Sequence, residues 1–174
     1  MLSFLLRWRV FFFCLFLACA GMIGFAMYHQ IYNWVMPCLL CVYQRIGVIA
    51  IGLLALIAAI WKPGSRAGVG IIGTLIGIAA LYTAGMAAWN LRLQYGPPDP
   101  SVACASSLPF PIDLNAWPAW VGMLIRPVGD CSQINFSLFG VSVPVWMLLA
   151  ALAIAGFTAW ACVRYCREIA RRPA

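Results

Sequence analysis

Four runs of about twenty apolar residues each leave this chain very few ways to fold. The runs cover residues 10–28, 42–61, 69–89 and 144–163. About 20 consecutive apolar residues cross the hydrocarbon core of a bilayer as one α-helix. Apolar residues make up 65% of the 174-residue chain and charged residues only 9%, which excludes an ordinary soluble domain. The sequence therefore predicts an all-α membrane protein, a four-transmembrane-helix bundle that forms a single domain over residues 1–174.

The net charge of +7 is explained by membrane topology rather than by nucleic-acid binding. Eight basic residues fall on one side of the membrane if the chain crosses four times, namely Arg7, Arg9, Lys62, Arg66, Arg164, Arg167, Arg171 and Arg172. The positive-inside rule then makes residues 1–9, 62–68 and 164–174 cytoplasmic, with both termini inside. The loops 29–41 and 90–143 face outward, which in a bacterial inner membrane means the periplasm, where disulfides persist.

The N-terminus has a competing interpretation. Arg7 and Arg9 before an apolar run resemble a signal peptide, and the segment ending at Cys19 faintly resembles a lipoprotein processing site. However, the apolar run continues to Tyr28, which is longer than a usual signal-peptide core. Its removal would also leave an odd number of spans, so the run is interpreted as the first transmembrane helix.

The second outward loop differs in composition from the rest of the chain. Residues 90–143 hold seven of the eleven prolines and three of the four acidic residues. A loop of this length is usually functional or disordered, and its two cysteines favour a functional loop. Within it, residues 116–125 are apolar but too short to span the membrane. They are predicted to form a short interfacial helix anchored by Trp117 and Trp120.

Four of the eight cysteines lie in the outward loops: Cys38, Cys41, Cys104 and Cys131. The first two form a C-x-x-C pair, the spacing of thiol oxidoreductases. Three interpretations compete, namely a zinc site, two inert disulfides and a redox relay between two cysteine pairs. Zinc favours two short-spaced pairs, and a C-x-x-C bridge closes a loop too small to stabilise much. The redox relay is therefore preferred, because two pairs on one membrane face can exchange disulfides.

The other cysteines are Cys14 and Cys19 in the first span and Cys162 and Cys166 at the inner end of the fourth. They are interpreted as packing residues, because a buried cysteine behaves as a small apolar side chain.

Arg45 follows Cys41 by four residues, so one helix face carries both side chains. A charge at this depth is costly. One explanation is that Arg45 extends to the interface along its aliphatic stem. The other is functional, since a guanidinium here can stabilise a Cys41 thiolate and donate hydrogen bonds to a carbonyl oxygen of a lipid-soluble electron acceptor.

These features together resemble the DsbB family of inner-membrane thiol:quinone oxidoreductases. The resemblance rests on four spans, the run from Pro37 to Arg45, Cys104 in the long loop, the segment Gly129-Asp130-Cys131 and the segment Phe139 to Trp146. It implies an enzyme that reoxidises a periplasmic thioredoxin-fold dithiol oxidase resembling DsbA. The electrons would pass to a membrane quinone, ubiquinone or menaquinone, and no metal is implied.

The resemblance also implies a role for each cysteine. Cys104 and Cys131 would form the disulfide that the partner attacks at Cys104. The released Cys131 would then attack a Cys38–Cys41 disulfide at Cys38. Cys41 would leave as a thiolate facing the quinone, with Arg45 beside it.

One position departs from the family pattern. Family members often carry His-x-x-Leu-Gln near the outer end of the third span, whereas this chain has Asn90-Leu91-Arg92-Leu93-Gln94. Asn90 can donate a hydrogen bond to a quinone oxygen, but it cannot carry a proton at neutral pH. Arg92 is a candidate substitute cation, and His29, the only histidine, is interpreted as an interfacial residue.

Two alternative functions stay open at this point. A quinone reductase that resembles the vitamin K epoxide reductase family would also combine four spans, a C-x-x-C pair and loop cysteines, although there the pair usually lies late in the chain. A non-catalytic membrane scaffold would carry the same cysteines as simple cross-links.

Overall fold

Helices dominate the computed structural model, which describes residues 2–61, 63, 65–96, 118–132, 134 and 136–171. The elements in chain order are α1 (Leu2–Tyr32), α2 (Leu39–Ile60), α3 (Arg66–Tyr95), α4 (Ala119–Ile125), β1 (Ser137–Leu138), β2 (Val141–Ser142) and α5 (Val143–Ala170). Within the described residues, four helices (α1, α2, α3 and α5) are long and apolar enough to cross a membrane. The predicted all-α architecture with four spanning helices is confirmed.

The helix bounds differ from the predicted spans. α1, α3 and α5 extend beyond them at both ends, and α2 begins three residues earlier than expected. The first connecting loop therefore shrinks to residues 33–38, and Cys41 lies inside the first turn of α2 rather than in the loop. The cause is local, because Cys38 caps α2 by accepting a hydrogen bond from the Cys41 backbone N–H at 3.3 Å.

α2 is the central helix of the bundle. It packs against α1 on one side and α3 on the other, and α3 packs in turn against α5. Gly47 permits the close approach of α2 and α3, since a Cβ at this position would collide with the Thr83 hydroxyl. Gly73 does the same between α3 and α5, where a Cβ would lie 2.7 Å from Cys162 Sγ. Small residues at helix contacts are typical of membrane bundles, which lack a hydrophobic driving force between helices.

Three aromatic rings pack together at the end of the bundle that carries both termini, called here the terminal end. Trp8 lies between Phe12 and Tyr165, with ring centroids 4.4 and 4.3 Å apart. Its indole N–H donates to the Ala58 carbonyl at 2.9 Å, which satisfies the one polar atom of a buried ring. These contacts hold α1, α2 and α5 together. The opposite end carries Cys38 and Cys41 and is called the cysteine end.

The short elements lie at the cysteine end. α4 is the helical part of the predicted interfacial segment 116–125, begins after Pro118 and packs on α2. Residues 116 and 117 lie outside the described residues. β1 and β2 form a tight antiparallel hairpin whose turn contains Phe139 and Gly140, both at positive φ. The Trp146 indole N–H donates to the Leu138 carbonyl at 3.2 Å, which fastens the hairpin to the first turns of α5.

Candidate functional site: the cysteine end

The C-x-x-C pair is formed by the cap and first turn of α2. The Cys38 thiol donates a hydrogen bond to Cys41 Sγ, and the two sulfur atoms are 2.7 Å apart. Both cysteines are thiols in this structure, and the Cys38–Cys41 disulfide stays a prediction. Cys38 is buried, whereas Cys41 is half-buried. The two sulfurs need only a short approach to reach a bonded separation of about 2.05 Å.

Cys38 is held mainly as a neutral thiol. Its hydrogen bond to Cys41 is the largest cause that raises the pKa of the Cys38 thiol, and burial raises it further. A thiol with a raised pKa is a poor leaving group in thiol–disulfide exchange. When the pair is oxidised, a nucleophile that attacks at Cys38 and expels Cys41 is therefore favoured over one that expels Cys38.

The second loop returns to this pair by backbone hydrogen bonds. The N–H groups of Val128 and Gly129 both donate to the Pro37 carbonyl, at 2.9 and 3.0 Å, and Gly129 pairs with Cys38 in a parallel bridge. Two residues later, Cys131 is fully buried in one apolar cluster with Cys38, Leu39 and Leu40. Cys38 and Cys131 are 93 residues apart in sequence, yet the fold brings this cysteine of the long loop next to the C-x-x-C pair.

Cys131 is a disulfide-bonded cysteine. Cys104, the predicted partner of that bond, lies outside the described residues. The pairing of Cys104 with Cys131 therefore stays a prediction from the family resemblance.

Arg45 lies one helical turn below Cys41 and is buried, with 9% of its surface exposed. Its guanidinium donates hydrogen bonds to Gln30 Oε1 at 2.7 Å and to the Leu124 carbonyl at 3.4 Å. Gln30 in turn donates to the Met123 carbonyl at 2.8 Å. Arg45 is therefore paired within the protein, and it ties α2 to α1 and to the last turn of α4.

Gln30 was missed by the sequence analysis. It belongs to no motif, and its only signal is an amide side chain in the last turns of an apolar helix. Its partners lie 15 and 93 residues away in sequence, so only the folded chain reveals its role.

Asn90 is fully buried on α3 and faces the cysteine pair. Its Nδ2 lies 3.6 Å from Cys38 Sγ and 3.5 Å from Cys41 Sγ, within hydrogen-bonding distance of both sulfurs. Its Oδ1 has no hydrogen-bond partner among the described residues. The structure thus brings Asn90 to the site but directs its donor towards sulfur.

A cavity of about 600 Å³ opens beside the pair. Its walls come from the second half of α1, the first turns of α2 and the first turns of α5, with the β1–β2 hairpin at its edge. Most of the lining is apolar, and a small number of polar side chains complete it. They are Cys38, Cys41, Gln44, Arg45, His29, Gln94 and Asp130. An apolar cavity with a few convergent polar groups is the usual form of a small-molecule site.

The other residues considered from sequence lie outside this cluster or at its edge. His29 lines the cavity and packs against Phe136, with the ring centroids 4.5 Å apart. Its Nδ1 is hydrogen-bonded to Asn33 Nδ2 at 2.7 Å. Arg92 is exposed and lies over the Trp89 ring at 5.7 Å. Cys162 contacts the Val69 carbonyl between α3 and α5, far from the C-x-x-C pair along the bundle.

Comparison with known proteins gives a consistent result. The sequence model of the family described as "DsbB: Disulfide bond formation protein DsbB" matches residues 8–161. A disulfide bond formation protein B of Chromobacterium violaceum is 37% identical over 82% of this chain and 86% of its own length. Disulfide bond formation protein B 1 of Pseudomonas aeruginosa is 37% identical over 86% of this chain and 91% of its own. The disulfide bond formation protein B of Acinetobacter baumannii is 32% identical over 86% of this chain and 88% of its own length.

Proposed function

The chain belongs to the DsbB family of disulfide bond formation proteins, and we propose that it reoxidises a periplasmic DsbA-like dithiol oxidase and reduces a membrane quinone. At the coarser level it is a multi-pass membrane protein with a disulfide-forming oxidoreductase role. One observation carries the finer proposal. Cys38 and Cys41 lie between Cys131, which is buried against Cys38, and an apolar cavity that Cys41 and Arg45 line.

The residues of the cavity fit a quinone head group. A quinone is a flat apolar ring with two carbonyl oxygens, so it requires an apolar cavity and a small number of hydrogen-bond donors. The cavity supplies both, because Arg45 has further guanidinium donors and Gln44 Nε2 has no partner among the described residues. When bound, the quinone supplies a two-electron acceptor beside Cys41.

The protein's cysteines carry two electrons in two exchange steps. A partner thiolate attacks Cys104 and expels Cys131, and the second partner thiol then releases the oxidised partner. Cys131 attacks the Cys38–Cys41 disulfide at Cys38, which forms a Cys131–Cys38 bond, and Cys41 leaves as a thiolate. The free Cys104 thiol then attacks Cys131 and displaces Cys38, which restores the Cys104–Cys131 disulfide and leaves Cys38 and Cys41 as the reduced pair. Overall, two partner thiols give up two electrons and two protons, and one quinone is converted to one quinol.

The direction of attack is supported by two features of the site. Cys131 is packed against Cys38 in the same apolar cluster. The raised pKa of the Cys38 thiol makes Cys41 the better leaving group. Arg45 also lines the cavity one helical turn below Cys41, where its positive charge attracts a thiolate that leaves at Cys41.

The quinone is needed for energetic reasons. A DsbA-like oxidase has a potential near about −120 mV, whereas ordinary structural disulfides lie below about −300 mV. Oxidising such a partner with an ordinary disulfide would be uphill by roughly 8 kcal/mol for two electrons. Inert cross-links, as in the scaffold alternative, could not do this work.

The membrane orientation follows the distribution of charge. Both termini and residues 62–68 are proposed to be cytoplasmic, so the cysteine end faces the periplasm of the inner membrane. There the disulfides are in an oxidising compartment and within reach of a soluble partner.

For Asn90 the geometry favours a role at sulfur over the predicted role as a quinone ligand. Replacing Asn90 with leucine removes the side-chain amide that lies within hydrogen-bonding distance of both Cys38 Sγ and Cys41 Sγ. We expect kcat for quinone reduction to fall by roughly 3- to 10-fold, which corresponds to the free energy of one hydrogen bond. The KM for quinone should stay within twofold of the wild-type value. Steady-state kinetics with varied quinone measure both quantities. A KM that rises in proportion to the loss of rate would instead assign Asn90 to the quinone.

The proposal is tested with the purified full-length protein, a reduced DsbA-like oxidase and either ubiquinone or menaquinone. We expect quinone absorbance to fall only when the reduced oxidase is present, with one quinone consumed for each oxidase disulfide formed. Comparing the two quinones identifies the preferred acceptor. If neither quinone is reduced when the reduced oxidase is present, the proposed function is wrong.

A further inference from the structure

Two loop residues at the cysteine end have a backbone conformation that their side chains disfavour. Within the described part of the chain, Trp34 and Phe139 are the non-glycine residues with positive φ, at 55° and 54°. Bulky L-residues rarely adopt this left-handed region, because the side chain crowds the backbone. Backbone strain of this kind is concentrated at functional sites, so both residues require an explanation outside their own turns.

Trp34 occupies a position that glycine or asparagine usually fills. It follows the end of α1, where the N–H groups of Asn33 and Val35 both donate to the His29 carbonyl, at 3.0 and 3.3 Å. These bonds fold the chain back onto the last turn of the helix. A residue at such a helix end often adopts the left-handed conformation, and it is usually glycine and sometimes asparagine. Tryptophan is therefore present here although the backbone disfavours it.

Phe139 occupies an equivalent position in the β1–β2 hairpin. Leu138 pairs with Val141 across the hairpin. Phe139 and Gly140 therefore form a two-residue turn, and both have positive φ. This is the pattern of a type I′ turn, whose first position is usually asparagine, aspartate or glycine. Phenylalanine is again a residue that the backbone disfavours.

Neither ring is needed for packing within the protein. Trp34 is 77% exposed and Phe139 is 88% exposed, the two highest values among the exposed large apolar side chains that the structure describes. Each residue is also a sequence neighbour of a cavity-lining residue, since Val35 follows Trp34 and Leu138 precedes Phe139. The two loops that border the cavity therefore each present a large apolar ring to the surroundings.

Both turns lie close to the helix ends rather than far beyond them. The bonds to the His29 carbonyl hold the first turn against the end of α1. The bond from the Trp146 indole to the Leu138 carbonyl, at 3.2 Å, holds the hairpin against the first turns of α5. α5 has 28 residues, which at 1.5 Å per residue is about 42 Å, whereas the hydrocarbon core of a bilayer is about 30 Å thick. Helices of this length end in the headgroup layer, so both turns lie there as well.

The composition of this end of the bundle matches a lipid–water interface. Other exposed aromatic residues mark the same ends of the spanning helices, namely Tyr28, Tyr32, Tyr95 and Trp146. Tryptophan and tyrosine are enriched at membrane interfaces, and phenylalanine is a common apolar anchor there. The two strained rings therefore lie where the lipid surface is their nearest apolar partner.

We propose that Trp34 and Phe139 insert into the lipid interface and anchor to the membrane the two loops that border the cavity. The occupant of this surface is the phospholipid bilayer, whose upper acyl chains contact each ring. Contact with lipid explains why aromatic residues are present at two positions that the backbone would assign to asparagine or glycine. The inference depends on the membrane location of the protein and not on the proposed reaction.

Fluorescence quenching tests the contact with lipid. The full-length protein is placed in phospholipid nanodiscs, and the emission of Trp34 is obtained as the difference between the wild type and Trp34→Phe. Phe139→Trp adds an emitter at the other turn. Since bromine quenches tryptophan on contact, we expect a phospholipid brominated near the top of its acyl chains to remove at least about half of each difference emission. Difference emission that brominated lipid leaves unchanged would overturn the proposal.

Hydrogen exchange in nanodiscs gives opposite results for the two explanations of these residues. Asparagine suits both backbone positions, so Trp34→Asn and Phe139→Asn relieve the strain and remove the ring. If the rings anchor the loops, we expect exchange of residues 33–38 and 137–142 to become at least about threefold faster in the respective variant. If the rings contact nothing outside the chain, relief of strain should leave exchange unchanged or slower, and that result would contradict anchoring.

Two matched controls accompany these variants. Trp34→Phe keeps an aromatic ring and should retain wild-type exchange. Ser137→Asn introduces asparagine at an exposed position of the same hairpin, in β1 rather than in the turn, and should also leave exchange unchanged. The competing occupant is a soluble partner protein. If adding a DsbA-like oxidase abolishes the quenching by brominated lipid, the rings bind the partner and the assignment to lipid is wrong.

Discussion

Replacing Cys41 with serine is expected to abolish quinone reduction by the dithiol oxidase, by at least about 1,000-fold. A serine hydroxyl cannot form a disulfide with Cys38, so the pair beside the cavity can no longer be oxidised. Removing a covalent catalytic group usually costs this much or more. The measurement is the rate of quinone absorbance loss with excess reduced oxidase.

The same variant gives a second readout that separates a broken relay from a misfolded protein. The predicted Cys104–Cys131 disulfide is still present, so at most one equivalent of oxidase should react with each protein before the reaction stops. Thiol labelling of the oxidase measures that equivalent. Cys162→Ser is the control, since Cys162 packs between α3 and α5 towards the terminal end and should leave the rate unchanged. Continued turnover in Cys41→Ser would rule out the relay.

Replacing Arg45 with methionine is expected to lower kcat/KM for quinone by roughly 10- to 100-fold. The guanidinium lines the cavity one turn from Cys41, and the proposed function has it donate a charged hydrogen bond to a quinone oxygen in addition to its bonds to Gln30 and Leu124. Hydrogen bonds to charged groups contribute about 1.5–3 kcal/mol, which corresponds to this range. Methionine preserves much of the apolar stem but removes both the charge and the donors. Steady-state kinetics at varied quinone concentration measure the loss.

Two further substitutions define what Arg45 contributes. Arg45→Lys keeps the charge but not the planar fork, so it should recover part of the activity. Arg92→Met removes an exposed arginine that lies over Trp89, and it should have no effect on quinone kinetics. If Arg45→Met keeps wild-type kcat/KM, then Arg45 serves only to fasten α4 to the bundle, and its proposed role towards the quinone is wrong.

The architecture could be predicted because each of its signals is local. Twenty apolar residues specify a spanning helix regardless of what surrounds them, and proline at position 118 marks the start of α4. The start of α2 was less predictable. It depends on the Cys38 sulfur acting as a cap, a role that cysteine seldom fills, and the predicted loop therefore included Cys41.

The site was predictable where residues share a motif and unpredictable where they do not. Spacings of three and four residues separate Cys38, Cys41 and Arg45, so their proximity follows from helix geometry. Gln30 reaches Arg45 from another helix, and no spacing rule relates positions 30, 45 and 124. Asn90 was expected near the acceptor, but the direction of its amide depends on how α3 packs against the start of α2.

The position of the cavity at the cysteine end has a consequence for bioenergetics. The cavity, the C-x-x-C pair and Cys131 all lie at one end of the bundle, whereas Trp8, Phe12 and Tyr165 pack together at the other. In the proposed reaction, electrons and protons would then leave the thiols and reach the quinone on the same face of the membrane. Moving one charge across a potential of 100 mV costs or yields about 2.3 kcal/mol. A reaction confined to one face moves almost none, so disulfide formation would proceed at the same rate in energised and in uncoupled membranes.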